Sequence, residues 1–182
     1  MRNIVYNINL SLDGCCDHTK FGPDEELFPY FTQLIKDAGL VVYGRTTYQL
    51  MFPYWADVAK NQSETEAIND FARALTAVDK LVFSRTLDSV DHNTKLLHGD
   101  LENEMRRLKQ QSGKNILIGG VDLPTQLIAL NLVDEFQFVL HPTIVGEGRY
   151  LAEGANLAEN LNLKLAGTQT FKSGCIWLHY VR

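Results

Sequence analysis

The chain has 182 residues, of which 45 % are hydrophobic and 21 % charged, with a net charge of −5. A chain of that size can bury a core without disulfides or metals, and its acidic balance argues against nucleic-acid or membrane-surface partners, which call for a basic face. Met1-Arg2-Asn3-Ile4 lacks the apolar core of a signal peptide, and no apolar run approaches the ~18 residues of a membrane span. The cysteines, Cys15, Cys16 and Cys175, are odd in number, two are adjacent, and none has metal-ligand spacing with histidine. The expectation is therefore reduced thiols in a cytoplasmic protein, with no metal site.

The opening segment alternates, with Ile4, Tyr6, Ile8 and Leu10 on one side and Val5, Asn7 and Asn9 on the other. This predicts a strand, which Asp13-Gly14 breaks. From about Asp24 to Asp37, Leu27, Phe31, Leu34 and Ile35 have helical spacing. Pro29 sets the start of the regular helix, and Asp24-Glu25-Glu26 falls where the helix dipole favours negative charge. Leu40–Tyr43 reads as a buried strand ending at Gly44. Ser63 to Leu75 predicts a helix, with Ser63 and Glu66 as a capping box and Ile68, Phe71, Ala72 and Leu75 on its core face.

Residues 80–83 predict another buried strand, ending at Ser84-Arg85-Thr86. Leu101, Met105 and Leu108 mark a helix, and Ile116–Ile118 a third buried strand, ending at Gly119-Gly120. Asp122 is the expected N-cap of the helix that follows, with Pro124 in its first turn and Leu127 and Ile128 facing the core. Residues 135–140, 163–171 and 176–181 read as longer strands, with a turn at Gly174. Strand and helix alternate first and strands close the chain, which predicts an α/β fold with a mostly parallel mixed sheet and an antiparallel C-terminal hairpin.

Three of the buried strands end in sequences suited to phosphate: Gly44-Arg45-Thr46-Thr47, Ser84-Arg85-Thr86 and Gly119-Gly120. Ligands of open α/β sheets bind beyond the carboxyl ends of parallel strands. There glycine admits close backbone approach, a helix start offers free N–H groups, and arginine supplies a fork of donors for phosphate oxygens.

Gly44-Arg45-Thr46-Thr47-Tyr48 resembles the G-R-x-T-W/Y motif of the dihydrofolate reductase superfamily, and Ile116-Leu117-Ile118-Gly119-Gly120 resembles its second glycine motif. Ser11-Leu12-Asp13-Gly14 is similar to the S-x-D-G opening of RibD C-terminal reductase domains. Leu132-Val133-Asp134-Glu135 and the 141–148 segment, His141-Pro142-Thr143-Ile144-Val145-Gly146-Glu147-Gly148, resemble the L-V-D-E and P-x-x-x-G-x-G patterns of that branch. The resemblance covers nearly the whole chain and implies a three-layer α/β/α domain over residues 1–182.

The resemblance implies an NADPH-dependent reductase similar to the riboflavin-pathway 5-amino-6-(5-phosphoribosylamino)uracil reductase. Arg45 and Ser84-Arg85-Thr86 would hold the 2′-phosphate. Gly44, Thr46 and Thr47 would face the pyrophosphate from one side, and Gly119, Gly120 and Val121 from the other. Asn9 to Asp13 would lie beside the nicotinamide, with Asn9 and His141 on the substrate side. Asp13 and, by analogy with the helix carboxylate of dihydrofolate reductases, Glu26 are the candidate catalytic carboxylates. Phe52, Tyr54 and Trp55 either wall a pocket or pack the core. A dihydrofolate reductase and a non-catalytic NADP-binding protein are the alternatives. The expected partners are a small-molecule substrate and a second copy in a homodimer, as in the RibD-like branch. The zinc-deaminase signature H-x-E…P-C-x-x-C is absent from the sequence.

Overall fold

Buried aliphatic runs and the amphipathic segments between them lay out an α/β chain in the computed structural model, which describes every residue except Pro23. Contacts divide it into two compact units, one of Met1–Arg2 and Asp24–Leu117, the other of Asn3–Pro23 and Ile118–Arg182. Among the described residues there are eight strands and five α-helices. Among the described residues no helix is long and apolar enough to cross a membrane.

In the first unit, α1 (Phe28–Asp37) leads into β2 (Ala38–Gly44), α2 (Arg45–Asn61), α3 (Glu66–Ala77), β3 (Lys80–Phe83), β4 (Thr94–Leu97) and α4 (Leu101–Gln110). The strand order is β4-β3-β2-β5, where β5 is Asn115–Ile118 and carries the chain into the second unit. β2, β3 and β4 run parallel, with Gly44 opposite Phe83 and Phe83 opposite Leu97, so their carboxyl ends lie side by side. Val41, Val42 and Val82 are fully buried, as expected of parallel strands covered on both faces.

α1 begins at Phe28 with Pro29 in its first turn, after a 3-10 turn over Glu25–Leu27 that Asp24 caps at the Glu26 amide. The expected capping box on α3 does not form. The helix starts at Glu66, its N-cap Thr65 makes no side-chain bond, and Ser63 lies outside it. The buried amide of Asn69 holds the entering chain instead: Nδ2 donates to the Glu64 carbonyl at 2.8 Å, and Oδ1 accepts from the Glu64 N–H at 3.3 Å. Phe71, Ala72 and Leu75 are buried as the spacing predicts. Phe52 stacks on Tyr48 at 4.9 Å and Trp55 packs edge-on to Phe71 at 4.7 Å, so both pack against neighbouring rings, while Tyr54 is largely exposed.

In the second unit, β1 (Ile4–Ser11), β6 (Glu135–His141), β8 (Ile176–Val181) and β7 (Lys164–Thr170) lie in the order β1-β6-β8-β7. β1 and β6 are parallel; β6–β8 and β8–β7 are antiparallel, with the tight turn at Gly174, as the sequence predicts. The first half of β1 is buried on both faces, Val5 as well as Ile4 and Tyr6, and its polar face begins only at Asn7. α5 (Asp122–Ala129) follows the glycine pair. Asp122 is not its N-cap. That position is Val121, without a capping bond, and the Asp122 carboxylate instead accepts from Arg149 Nη2 at 2.7 Å. The bond to Arg149 holds that carboxyl below its usual range.

Candidate functional site

The first unit builds a positively charged rim at the carboxyl ends of β2, β3 and β4. Gly44 is the N-cap of α2, and Arg45, Thr46 and Thr47 form its first turn, which has no acidic residue and no side-chain cap. The N–H groups of that turn are thus available to an anion, and the dipole of a 17-residue helix points at it. Arg45 is exposed but held in place: its Nη1 donates to Thr86 Oγ1 at 3.0 Å. Neither Arg45 nor Arg85 pairs with a carboxylate among the described residues.

Ser84 shapes the neighbouring turn from inside. Its buried hydroxyl accepts from the Thr86 and Leu87 amides at 3.1 and 2.9 Å, and its carbonyl accepts from His98 Nδ1 at 2.7 Å. Ser84 is therefore part of the support beneath the arginines, while Arg85 and Thr86 are exposed. Tyr48 fixes the far side of this loop: its hydroxyl donates to Asp91 Oδ2 at 2.7 Å and accepts from the Asp91 amide at 2.9 Å. His98 and Asp91 carry no recognisable motif, so sequence reading missed them. They come into place through the parallel β3–β4 register.

Among the acidic residues before α1, Glu26 is half-buried on the 3-10 turn, not in the helix. The notable carboxylate is Asp24. Its Oδ1 accepts from the Glu26 amide at 3.0 Å, and its Oδ2 is buried with no hydrogen-bond partner among the described residues. A buried carboxylate oxygen without a partner is costly, so it is a place where a ligand N–H would be stabilising.

The second unit brings together Asn9, Asp13 and His141. Gly14 adopts φ +82° and its N–H donates to the Ser11 carbonyl, which closes the turn that the S-x-D-G pattern requires. Asp13 is a latch: Oδ1 accepts from Ser11 Oγ at 2.5 Å and from the Val145 amide at 3.1 Å, and Oδ2 from the Gly146 amide at 2.8 Å. These bonds, the Ser11 hydroxyl first, hold its carboxyl down to about 2. Between that value and the ordinary carboxylate pKa the unfolded chain binds more protons than the folded one. The lowered value means that the latch stabilises the fold above the ordinary carboxylate pKa and is lost as pH falls through about 2. The Gly146 amide shift in an NMR titration should follow a midpoint near 2 and not near the ordinary ~4. A midpoint near 4 would mean that the latch does not persist in solution.

Cys15 and Cys16 support the same loops, each buried with its Sγ bonded to a backbone carbonyl, of Glu147 and Arg149 respectively. Gly120 takes φ +88°, which an L side chain rarely adopts, and the buried Tyr6 hydroxyl donates to its carbonyl at 3.0 Å. Gly119, Gly120 and Val121 thus form a fixed turn into α5. His141 is buried, bonded to Asn9, with Phe21 stacked on its ring at 4.6 Å.

Glycine and arginine turns beyond the carboxyl ends of parallel strands are the arrangement of α/β proteins that bind phosphate-bearing ligands at that edge. The chain belongs to the RibD C-terminal domain family, whose profile it matches over residues 2–177. It is 29 % identical over 187 aligned positions to YyaP of Bacillus subtilis, covering 98 % of this chain and 94 % of that one. Its fold is similar to that of a putative riboflavin biosynthesis protein from Shewanella sp. PV-4, with a TM-score of 0.71 at 19 % identity over 100 % of this chain and 99 % of the other. It is also similar to the diaminohydroxyphosphoribosylaminopyrimidine deaminase/5-amino-6-(5-phosphoribosylamino)uracil reductase of Thermotoga maritima. There the TM-score is 0.68 at 15 % identity, over 99 % of this chain and 56 % of the other. The fold is thus that of riboflavin-pathway reductase-like proteins.

Proposed function

We propose that the protein is an NADPH-dependent reductase acting on a ribosylaminopyrimidine or a close relative, in the cytoplasm. The observation that carries the cofactor reading is Arg45, held by Thr86 at the open N-terminus of α2 beside the Ser84 turn. A fork of guanidinium donors, free helix N–H groups and no carboxylate in the first turn of α2 suit a phosphomonoester such as the 2′-phosphate. NADPH, when bound, supplies the hydride.

The chain's own residues orient the ligands and limit water. One hydride and one proton add across the C=N of the opened ribosylamine, leaving a ribitylamine. The proton does not come from Asp13, which is ionised at any pH well above 2; its part is to hold the loop after β1 against residues 145–146. Asp24 Oδ2, and not Glu26, is the carboxylate oxygen we assign to a ligand N–H. A homodimer through the C-terminal strands is part of the same reading. β7 is an edge strand exposed along most of its length, and no residue of β8 is buried although β8 lies between β6 and β7.

The test is a side-by-side titration with NADPH and NADH, followed by intrinsic fluorescence of Trp55 and Trp177, and then turnover of 5-amino-6-(5-phosphoribosylamino)uracil. A clear preference for NADPH with oxidation of the cofactor on adding the pyrimidine is expected. Binding of neither nucleotide would remove the reductase reading, and tight NADPH binding without turnover would leave a nucleotide-binding protein.

A further inference from the structure

Four side chains meet where β1 and β6 end and β8 begins. His141 Nε2 lies 3.1 Å from Asn9 Oδ1, and His141 Nδ1 lies 3.5 Å from Cys175 Sγ. Phe21 covers the ring face, and both His141 and Cys175 are buried. A ring nitrogen facing an amide oxygen must carry its hydrogen, so Nε2 is the donor. The neutral ring then accepts at Nδ1, which the thiol S–H can satisfy.

That direction of donation reaches Asn9. With Oδ1 occupied by His141, the side-chain amide cannot turn over without placing N–H against N–H. Its Nδ2, with two hydrogens, is held facing away from His141. Among the described residues nothing accepts from Nδ2, and it is not one of the buried polar atoms left without a partner, so it meets solvent. Asn9 itself is half-buried.

We infer that Asn9 is a fixed hydrogen-bond donor, held by His141, that recognises a carbonyl oxygen of the ligand. A freely turning amide would accept from an N–H as readily as it donates to a carbonyl. A locked one discriminates, because a ligand N–H placed there faces two donors. The carbonyl belongs either to the carboxamide of a nicotinamide or to a uracil-type pyrimidine. The ligand side of this inference rests on the reductase reading above; the donor direction does not.

Asn9→Asp is the decisive variant, since it keeps an oxygen toward Nε2 and replaces the outward donor by an acceptor. Its affinity for either NADPH or 5,6-diaminouracil should fall at least about tenfold, as for loss of a ligand hydrogen bond with two acceptors left facing each other. Affinity for 2′,5′-ADP, which has no nicotinamide, should not change. Loss on NADPH assigns the carboxamide, and loss on diaminouracil assigns the pyrimidine. Wild-type affinity of Asn9→Asp for both overturns the inference, as does a wild-type protein that binds neither. In that last case, retained 2′,5′-ADP binding shows that the phosphate-binding reading survives the failure.

The second readout is independent of any ligand. The ¹⁵N spectrum of His141 in the free protein should show the Nε2-protonated tautomer, and an Nδ1-protonated ring overturns the donor assignment. Cys175→Ala, which leaves an Nδ1–H without the sulfur as acceptor, should keep the Nε2-protonated ring; an Nδ1-protonated ring in that variant also overturns the donor assignment.

Discussion

Replacing Arg45 by alanine should weaken NADPH binding by about 1.5–3 kcal/mol, roughly tenfold to more than a hundredfold, and leave NADH binding nearly unchanged. The residue is exposed and touches Thr86 but no carboxylate among the described residues, so its removal costs the fold little. Arg45→Lys should recover only part of the loss, because an ammonium keeps the charge but not the fork that reaches Thr86 and a phosphate together. Thr86→Val should have a smaller effect of the same sign, since it frees the guanidinium without removing it. Calorimetric titration of each variant with both nucleotides decides the matter. Equal loss of NADPH and NADH in Arg45→Ala would place the arginine on the pyrophosphate or on the scaffold.

Lys80→Ala should destabilise the protein by about 2–4 kcal/mol, the sum of lost stem packing and newly unpaired buried carbonyls. Lys80 opens β3 and is buried. Its Nζ donates to the carbonyls of Val78 and Thr76 at 2.8 and 2.9 Å and lies 3.4 Å from that of Leu75, and so satisfies the C-terminal end of α3. It also sits over the Phe52 ring at 4.9 Å. Lys80→Met keeps the stem and should cost less, about 1–3 kcal/mol, from the carbonyls alone.

Burial pushes the Lys80 ammonium down to about 8, against the opposing pull of Asp91 and Asp79. A folded-state value below the unfolded one means that the unfolded chain binds more protons between about 8 and the ordinary ~10.4. The desolvation cost is therefore full below pH 8 and is relieved as pH rises through that window. Denaturant melts should show the stability of wild type rising relative to Lys80→Met from pH 8 to 10. A flat difference would mean that the Thr76 and Val78 carbonyls keep the ammonium charged through that window.

The same residues show where sequence reading worked. Leu40–Tyr43 and 80–83 were legible as strands because parallel strands buried on both faces are continuous aliphatic runs, and Ile116–Ile118 because its three aliphatic residues are likewise buried. Thr94-Lys95-Leu96-Leu97 was not, because it is the outermost strand of its unit, short and only half-buried. The body of α2 was equally obscure, since Pro53 and its ring cluster hide the helical period. Ser63 and Asp122 looked like caps by residue type, but a distant or neighbouring side chain took over in each case: Asn69 holds the chain entering α3, and Arg149 draws the Asp122 carboxylate.

Local turns and motifs follow from residues near in sequence: the Gly14 and Gly120 turns, the arginine after Gly44 and the order of strands and helices. What those groups do depends on partners that packing brings to them. Asp13 became a latch by meeting residues 145–146, Asp24 kept a carboxylate oxygen unpaired among the described residues, and Asn9 acquired a fixed donor direction from His141. Hydrogen-bond partners more than 100 residues apart along the chain are set by strand register and packing, which local sequence patterns do not encode.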